Sequence, residues 1–195
     1  MTLRFGTAGS PLSTSGKGRS AGVARSIELG MDCQELEFVH GVNMPDEDAA
    51  KVNDLVKKHS FTVTAHGPYY VNLNAQEPAK VEASMGRVLS TARMLEKCSG
   101  TSATFHPAFY MKQAPEKVYE TVKKRLKEIT KTLHDEGNNV RVSPETTGKA
   151  TQFGSLKELL QLTQDVEGLG ICIDFSHLYT QIGRASCRER VCHRV

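Results

Sequence analysis

The sequence contains a series of short apolar runs, each of which ends in a residue that can bind a metal ion or carry a proton. His66, His106, Glu145 and Asp174 follow four such runs in order, and His177 comes three residues after Asp174. Helix-like stretches separate the runs. Strands that alternate with helices form a parallel sheet, and in a (β/α)₈ barrel the carboxyl ends of the strands converge on one site. The series therefore predicts both a fold and the place of its functional site.

The periodicity of the apolar residues predicts six strands and five helices. The strands are expected at residues 3–6, 33–39, 61–66, 103–106, 140–143 and 170–173. The helices are expected at residues 20–29, 45–58, 78–97 and 115–136, with a fifth opened by a capping box at Ser155 and Glu158. A closed eight-stranded barrel takes about 250 residues. The predicted fold is therefore α/β, an incomplete (β/α)₈ TIM barrel with a parallel sheet.

An open, flavodoxin-like sheet is the alternative architecture. Such a sheet places its site at a point where the strand order reverses. Here the candidate ligands follow four consecutive strand-like runs. That distribution favours the barrel.

The last fourteen residues differ from the rest of the chain. Residues 182–195 contain four arginines and one glutamate, which account for the whole net charge of +3, and they show no apolar period. Residues 182–191 resemble the translation of a common sequencing-library adapter, so 182–195 is interpreted as a non-native tail. The alternative is a basic surface tail. Residues 1–181 are predicted to form one domain, the partial barrel.

The composition gives expectations about location and partners. No run of about 18 apolar residues is present, so we expect no membrane partner. The N-terminus lacks the basic start and the long apolar stretch of a signal peptide, so the cytoplasm is the expected location. The cysteines outside the tail, Cys33, Cys98 and Cys172, are widely spaced and predict no disulfide framework. We expect a monomer.

The residue types in the series are typical of a divalent metal site. Neutral imidazole and carboxylate bind zinc, and they also suit manganese or iron. His66, His106 and Glu145 would share one ion, and Glu145 would bridge to a second ion near Asp174. Paired divalent ions can activate a water and stabilise the leaving oxygen of a phosphoester. The first functional hypothesis is therefore phosphoester cleavage with Glu145 as the catalytic carboxylate.

Each of these residues also has a structural interpretation. A lone strand-end histidine is more often a hydrogen-bonding residue than a ligand, and a lone Glu or Asp there is often a cap. Four independent caps at one barrel end are not expected, so the series favours a metal site. His40 follows the second strand and points to the same end. Glu35 and Glu37 are expected on a solvated or helix-facing side rather than in the barrel interior.

At these residues the chain resembles the endonuclease IV family, the AP-endonuclease branch of the xylose isomerase-like barrels. The matching segments are residues 65–73 (AHGPYYVNL), 105–107 (FHP), 144–148 (PETTG) and 172–177 (CIDFSH). Their order and intervals agree with the family, and the resemblance covers about residues 3–179.

The resemblance implies a metal-dependent hydrolase. Members of the family bind three zinc ions and cut the phosphodiester 5′ to an abasic site in DNA. By resemblance, His66, His106 and Glu145 match the ligands of the first ion. Glu145 and Asp174 match part of the second set, and His177 matches one ligand of the third ion. Manganese is an alternative to zinc.

The implied partner is abasic DNA, which the family cleaves in base excision repair. Tyr69 matches an aromatic residue in the loop that enters DNA at the lesion. Abasic nucleotides flip easily because no base has to be unstacked. Basic residues in loops at the site end are candidates for phosphate contacts: Lys17, Arg19, Lys112 and Lys149. Their other interpretation is that of ordinary solvated side chains.

Two departures from the family pattern keep a second hypothesis open. The loop at residues 40–44 lacks the arginine that the family's endonucleases place in DNA, which favours a sugar isomerase or epimerase that uses one divalent ion. The family's remaining ligands come from the last strands of the barrel, and His193 in the tail is no substitute. Activity is therefore expected of a longer parent protein. The 195-residue chain is itself expected to be inactive.

Overall fold

The structure is a computed structural model that describes residues 3–181. Its strands are β1 Gly6–Ala8, β2 Cys33–Glu37, β3 Thr62–His66, β4 Ser102–Phe105, β5 Ala108–Phe109, β6 Arg141–Pro144 and β7 Gln152–Phe153. Its helices are α1 Arg19–Glu28, α2 Asp46–His59, α3 Pro78–Lys97, α4 Pro115–Asp135 and α5 Leu156–Asp165. A further helical segment covers residues 175–181. The segment interpreted as a non-native tail, 182–195, lies outside the described residues.

Five strands form one parallel sheet in the order β1-β2-β3-β4-β6. Each strand therefore lies beside the next one along the chain in this sheet, and the order does not reverse anywhere in residues 3–181. A flavodoxin-like sheet has such a reversal, so that alternative is wrong. The parallel strands and the helices between them have the arrangement of an incomplete (β/α)₈ barrel, as the sequence predicts.

The two ends of the sheet differ most from the sequence prediction. Leu3 and Phe5 were expected in the first strand, but their side chains are exposed and the pairing with β2 begins at Gly6. At the other end, the expected strand at residues 170–173 is reduced to one bridge between Glu145 and Cys172. Only β6 pairs with this segment in the described part of the chain, so it gains ladder hydrogen bonds on one side alone.

A second, two-stranded sheet was not predicted. Ala108–Phe109 (β5) pairs antiparallel with Gln152–Phe153 (β7), just after the ends of β4 and β6. Two residues are too few to show an alternating pattern, and the partners are more than forty residues apart in sequence. This ribbon connects the loops that carry the candidate ligands His106 and Glu145.

The helices pack on the outside of the sheet through the apolar stripes that the sequence predicts. In α4 the buried residues recur at helical spacing; they are Val118, Tyr119, Val122, Leu126, Ile129 and Leu133. The predicted capping box of α5 is confirmed, since the Ser155 hydroxyl accepts from the Glu158 amide and the Glu158 carboxylate accepts from the Ser155 amide. Among residues 3–181, no helix is both long and apolar enough to cross a membrane.

The two faces of the parallel sheet differ sharply in polarity. Side chains that alternate along the strands and point to the helices are apolar and buried; they include Leu36, Val63, Ala65, Ala103, Phe105 and Val142. The residues between them point into the barrel interior and are polar, as in the paired series Glu37, His66, Thr104 and Ser143. The interior face thus leads directly to the carboxyl-end site.

Glu35 lies on the interior face, and the expectation of a solvated or helix-facing position is wrong. Its neighbour Gln34 points the other way and accepts a hydrogen bond from Ser26 of α1. Since successive side chains of a strand point to opposite faces, Glu35 and Glu37 point inward. Burial raises the pKa of Glu35, and the nearby carboxylates of Glu145 and Glu37 raise it further, against the opposite effect of His66.

Candidate metal centre

Three of the predicted ligands meet at the carboxyl ends of adjacent strands. His66 is the last residue of β3, His106 follows β4, and Glu145 follows β6. The Nε2 atom of His66 lies 3.1 Å from Oε2 of Glu145, and the Nε2 atom of His106 lies 3.4 Å from Oε1 of the same carboxylate. We call His66, His106 and Glu145 the inner group. All three of its ligand atoms lie within 4.8 Å of one another.

A second set of possible ligands shares Glu145 with the inner group. Glu145, Asp174 and His177 also place one ligand atom each within 4.8 Å of the others. His177 Nδ1 lies 3.1 Å from Oε1 of Glu145 and 3.5 Å from Oδ2 of Asp174. We call these three residues the edge group, because Asp174 and His177 follow the segment that ends the sheet. The side chains of Asp174 and His177 are 34% and 31% exposed, whereas that of Glu145 is 7% exposed.

The orientation of His66 fits a cation in the inner group. Its Nδ1 atom lies 2.7 Å from the Gly67 carbonyl oxygen, which can only accept, so Nδ1 carries a proton and donates it. In the neutral ring Nε2 then has only a lone pair, and that lone pair faces a Glu145 oxygen 3.1 Å away. Two acceptors at this distance require a proton or a metal ion between them. The carbonyl bond is the support that metal-binding histidines normally have.

The charge state of Glu145 also suits a ligand. Burial opposes its ionisation, but hydrogen bonds from His106 and His66 outweigh burial and lower its pKa to about 2. For His66, burial acts against the charged ring, yet the bonds to Glu145 and Gly67 raise its pKa overall. Glu145 is therefore a carboxylate at neutral pH, and protons compete with a metal ion for the His66 nitrogen.

Asp174 has the structural role that the cap interpretation predicts, and it also faces the edge group. Its Oδ1 atom accepts from the His177 amide at 2.8 Å, which caps the helical segment at 175–181. Thr146 supports both residues, although it was not among the predicted site residues. Its hydroxyl donates to the Asp174 carbonyl or accepts from the Asp174 amide. Its own carbonyl oxygen lies 2.8 Å from His177 Nδ1. The only sequence signal for Thr146 is its position next to Glu145.

Tyr69 lies at the mouth of the inner group. Its ring stacks on His106 at a centroid distance of 6.2 Å and meets the edge of His66 at 5.4 Å. The side chain is nevertheless 53% exposed. Tyr69 thus presents an aromatic face to solvent directly beside two of the candidate ligands.

The four basic candidates fall into two kinds of environment. Lys17, Lys112 and Lys149 are exposed, and none of them is in an ion pair with another residue of 3–181. Arg19 instead directs its guanidinium into the protein, where it lies over the ring of Phe38. His40, which was expected to point to the site end, is exposed. The structure therefore brings the five candidate ligands and Tyr69 together, whereas the three lysines are exposed and contact none of them through an ion pair.

Comparison with known proteins identifies the family. Residues 23–194 match the model of the family described as "Xylose isomerase-like TIM barrel". The chain belongs to this family. The match confirms the predicted barrel fold.

Two relatives each match more than two thirds of this chain. An uncharacterized protein of Methanocaldococcus jannaschii is 42% identical over 92% of this chain and 63% of its own length. A probable endonuclease 4 of Akkermansia muciniphila is 26% identical over 69% of this chain and 50% of its own length. The chain therefore spans between half and two thirds of the length of these relatives.

Solved structures agree on the fold. The endonuclease IV of Thermus thermophilus superposes with a TM-score of 0.68 at 22% identity, over 90% of this chain and 64% of that one. An L-ribulose 3-epimerase superposes with a TM-score of 0.72 at 12% identity, over 91% and 62%. At these identities the likeness concerns the fold alone, and it does not distinguish a nuclease from an epimerase.

Proposed function

We propose that the whole protein is a metal-dependent phosphodiesterase of the endonuclease IV type, which cuts DNA 5′ to abasic sites in base excision repair. The observation that carries this proposal is the sharing of Glu145 between the inner group and the edge group. One carboxylate with a candidate ligand set on each side is what a bridged pair of divalent ions requires. Distant relatives named as endonuclease 4 or apurinic-apyrimidinic endonuclease support the assignment.

The chemistry of the donor set fits zinc, with manganese as the alternative. Imidazole nitrogen and carboxylate oxygen are the usual zinc ligands outside cysteine-rich sites. His66, His106 and Glu145 would hold one ion, and Glu145, Asp174 and His177 would hold another. When bound, such ions polarise the phosphodiester and lower the pKa of a water molecule.

The protein's own residues prepare the site for that chemistry. Glu145 holds the two ligand groups at a fixed separation, and its low pKa keeps it ionised. The Gly67 carbonyl fixes the ring of His66. The Thr146 carbonyl likewise accepts from Nδ1 of His177, so this ring would bind an ion through Nε2. Tyr69 would offer a stacking surface for a base next to the abasic site. Lys17, Lys112 and Lys149 are exposed and would attract phosphates.

Incision of a defined substrate tests the proposal. The whole protein is incubated with zinc and a duplex that carries one abasic analogue, and the products are separated on a denaturing gel. We expect a single cut 5′ to the analogue that requires metal and is lost in Glu145→Gln. An undamaged duplex is the substrate control. Absence of incision by a protein with full metal content would refute the proposal.

A sugar isomerase or epimerase that uses one divalent ion is the second candidate. The observation in its favour is the loop at 40–44, which contains no arginine to enter DNA. In this case Glu145 would act as the base at a carbon next to a carbonyl. Turnover of a panel of keto-sugars by the protein, abolished in Glu145→Gln, would favour this candidate over the nuclease.

A further inference from the structure

We infer that Arg19 is a positioning residue that fixes the loop between β2 and α2 against the segment that carries His66 and Tyr69. This internal role is an alternative to the phosphate contact that the sequence predicts for Arg19. The proposed consequence for DNA rests on the proposed function, whereas the positioning role itself concerns only contacts within the chain.

The guanidinium of Arg19 contacts both ends of the loop. Its Nη2 atom donates to the carbonyl of Glu37, the last residue of β2, and its Nη1 atom donates to the carbonyl of Asn43; both distances are 3.2 Å. Between these points the guanidinium carbon lies 4.5 Å from the ring centroid of Phe38, which is fully buried. One planar group therefore holds two residues at the start of the stretch 37–43 and one residue at its end.

The main chain of Arg19 is held as firmly as its side chain. Asp48, in the first turn of α2, accepts from the Arg19 amide at 2.8 Å and from the Ser20 amide at 3.2 Å. Asp48 thereby caps the N-terminus of α1 from another helix. The guanidinium thus extends from a fixed point, and its reach to the loop is set by the packing of α1 on α2.

The loop in turn supports the metal centre through two main-chain bonds. The Phe38 amide donates to the His66 carbonyl at 2.9 Å, and the Tyr69 amide donates to the Val39 carbonyl at 3.3 Å. Both bonds lie inside the stretch that Arg19 holds. A displacement of residues 38–39 would therefore shift the backbone of a candidate ligand and of the exposed aromatic ring together.

Lysine does not reproduce this arrangement, although it keeps the charge. The guanidinium is planar and donates in several fixed directions, so it binds two carbonyls and stacks on a ring at once. The ammonium group is a compact point charge on a flexible stem. Arg19→Lys therefore separates a positioning role from a purely electrostatic one.

Amide hydrogen exchange of the 195-residue chain tests the positioning role without any substrate. In Arg19→Lys and Arg19→Gln we expect exchange at the Phe38 and Tyr69 amides to become about tenfold faster or more, while the core amides of α4 keep their rates. Arg25→Lys, on the same helix but paired with Glu28, is the matched control and should leave both amides unchanged. Unchanged exchange at Phe38 and Tyr69 in both Arg19 variants would overturn the inference.

Incision kinetics test the consequence for DNA. In Arg19→Lys we expect kcat/KM on abasic duplex to fall about tenfold with an unchanged salt dependence, because charge is kept and geometry is lost. Lys17→Ala changes the exposed position two residues earlier. It should instead reduce the slope of the logarithm of the DNA-binding constant against the logarithm of the salt concentration by about one. Full activity in Arg19→Lys, with a reduced salt slope in Arg19→Gln, would restore the phosphate role. If the unmodified protein makes no incision, the proposed function fails and hydrogen exchange alone decides the role of Arg19.

Discussion

The inner group and the edge group share one carboxylate but are supported very differently. His66, His106 and Glu145 end three neighbouring strands that hydrogen-bond to one another across the sheet. Asp174 and His177 follow residues 170–172, which make three main-chain hydrogen bonds to β6 and the residues after it, and which have no strand on their other side among residues 3–181. The same ligand chemistry is thus preorganised on one side and loosely supported on the other. The comparison predicts that the inner group binds metal more tightly than the edge group in this chain.

The largest effect should come from the residue that the two groups share. Glu145→Gln removes the charge but keeps the shape, and it should reduce zinc affinity of both groups by at least about 100-fold. Zinc titration against a chromophoric chelator measures this. Glu158→Gln, a carboxylate in the α5 cap, is the control and should leave zinc affinity unchanged. A Glu145→Gln protein that binds zinc normally would show that neither group is a metal site.

A pair of histidine substitutions should separate the two groups. His66→Ala should lower the affinity of the tighter site by more than about tenfold, because its ring is fixed by the Gly67 carbonyl and faces the buried carboxylate. His177→Ala should affect only the weaker site, since its ring is partly exposed. Calorimetric zinc titration of the two variants measures both sites. Equal losses at one single site would contradict the division into an inner and an edge group.

A smaller effect is expected at Thr146, the residue that supports the edge group. Thr146→Val removes the hydroxyl that bonds the Asp174 main chain, and it should weaken the edge group about tenfold while the inner group keeps its affinity. The same calorimetric titration applies. Thr163→Val, on the outer helix α5, is a matched control. Weakening of the inner group by Thr146→Val would show that the two groups are not independently supported.

The smallest effect on metal binding should come from Asp48, because it reaches the metal centre only through Arg19 and the loop at residues 37–43. Asp48→Ala removes the cap of α1 and should cost about 1 kcal/mol of unfolding free energy at pH 7. Burial opposes ionisation of Asp48, but bonds from Ser20 and Arg19 outweigh it and lower its pKa. A lowered pKa stabilises the fold above the unfolded value near 3.8, and this stabilisation is lost as pH falls through the folded value.

Urea titrations of Asp48→Ala and the unmodified chain at pH 7 and pH 3 measure this difference. It should be about 1 kcal/mol at pH 7 and smaller at pH 3, while the two zinc affinities change by less than they do in Thr146→Val. A difference that grows towards pH 3 would contradict the assigned sign. A loss of zinc affinity larger than that in Thr146→Val would show that Asp48 does more for the metal centre than anchor Arg19.

The helical shell and the inner group could be predicted from the sequence, because both depend on local patterns. The apolar stripe of α3 gives the helix Pro78–Lys97 with its observed bounds. His66, His106 and Glu145 follow apolar runs, and parallel pairing brings their strand ends together. What escaped prediction depends on contacts between distant residues. The pairing of β5 with β7, the support from Thr146 and the inward direction of the Arg19 guanidinium have no periodic signal in the sequence.

The face of the sheet on which a strand residue lies was also difficult to predict. The sequence predicts Glu35 on a solvated or helix-facing side, whereas it lies on the interior face. In the structure the interior face carries polar residues on every strand of the parallel sheet from β2 to β6. A carboxylate on this face is therefore surrounded by other polar side chains. The alternation in Gln34, Glu35 and Leu36 is compatible with either orientation. Only the hydrogen bond of Gln34 to α1 decides between them.

The difference in polarity between the two faces of the sheet also specifies the strand register. If β2 moved by one residue, Glu35 and Glu37 would enter the apolar layer beneath the helices, and Leu36 would enter the polar barrel interior. Each slipped pairing is thus penalised twice, once for the buried charge and once for the exposed alkyl group. The polar interior face that lies below the site therefore also favours the correct pairing of the strands, before any metal or substrate is present.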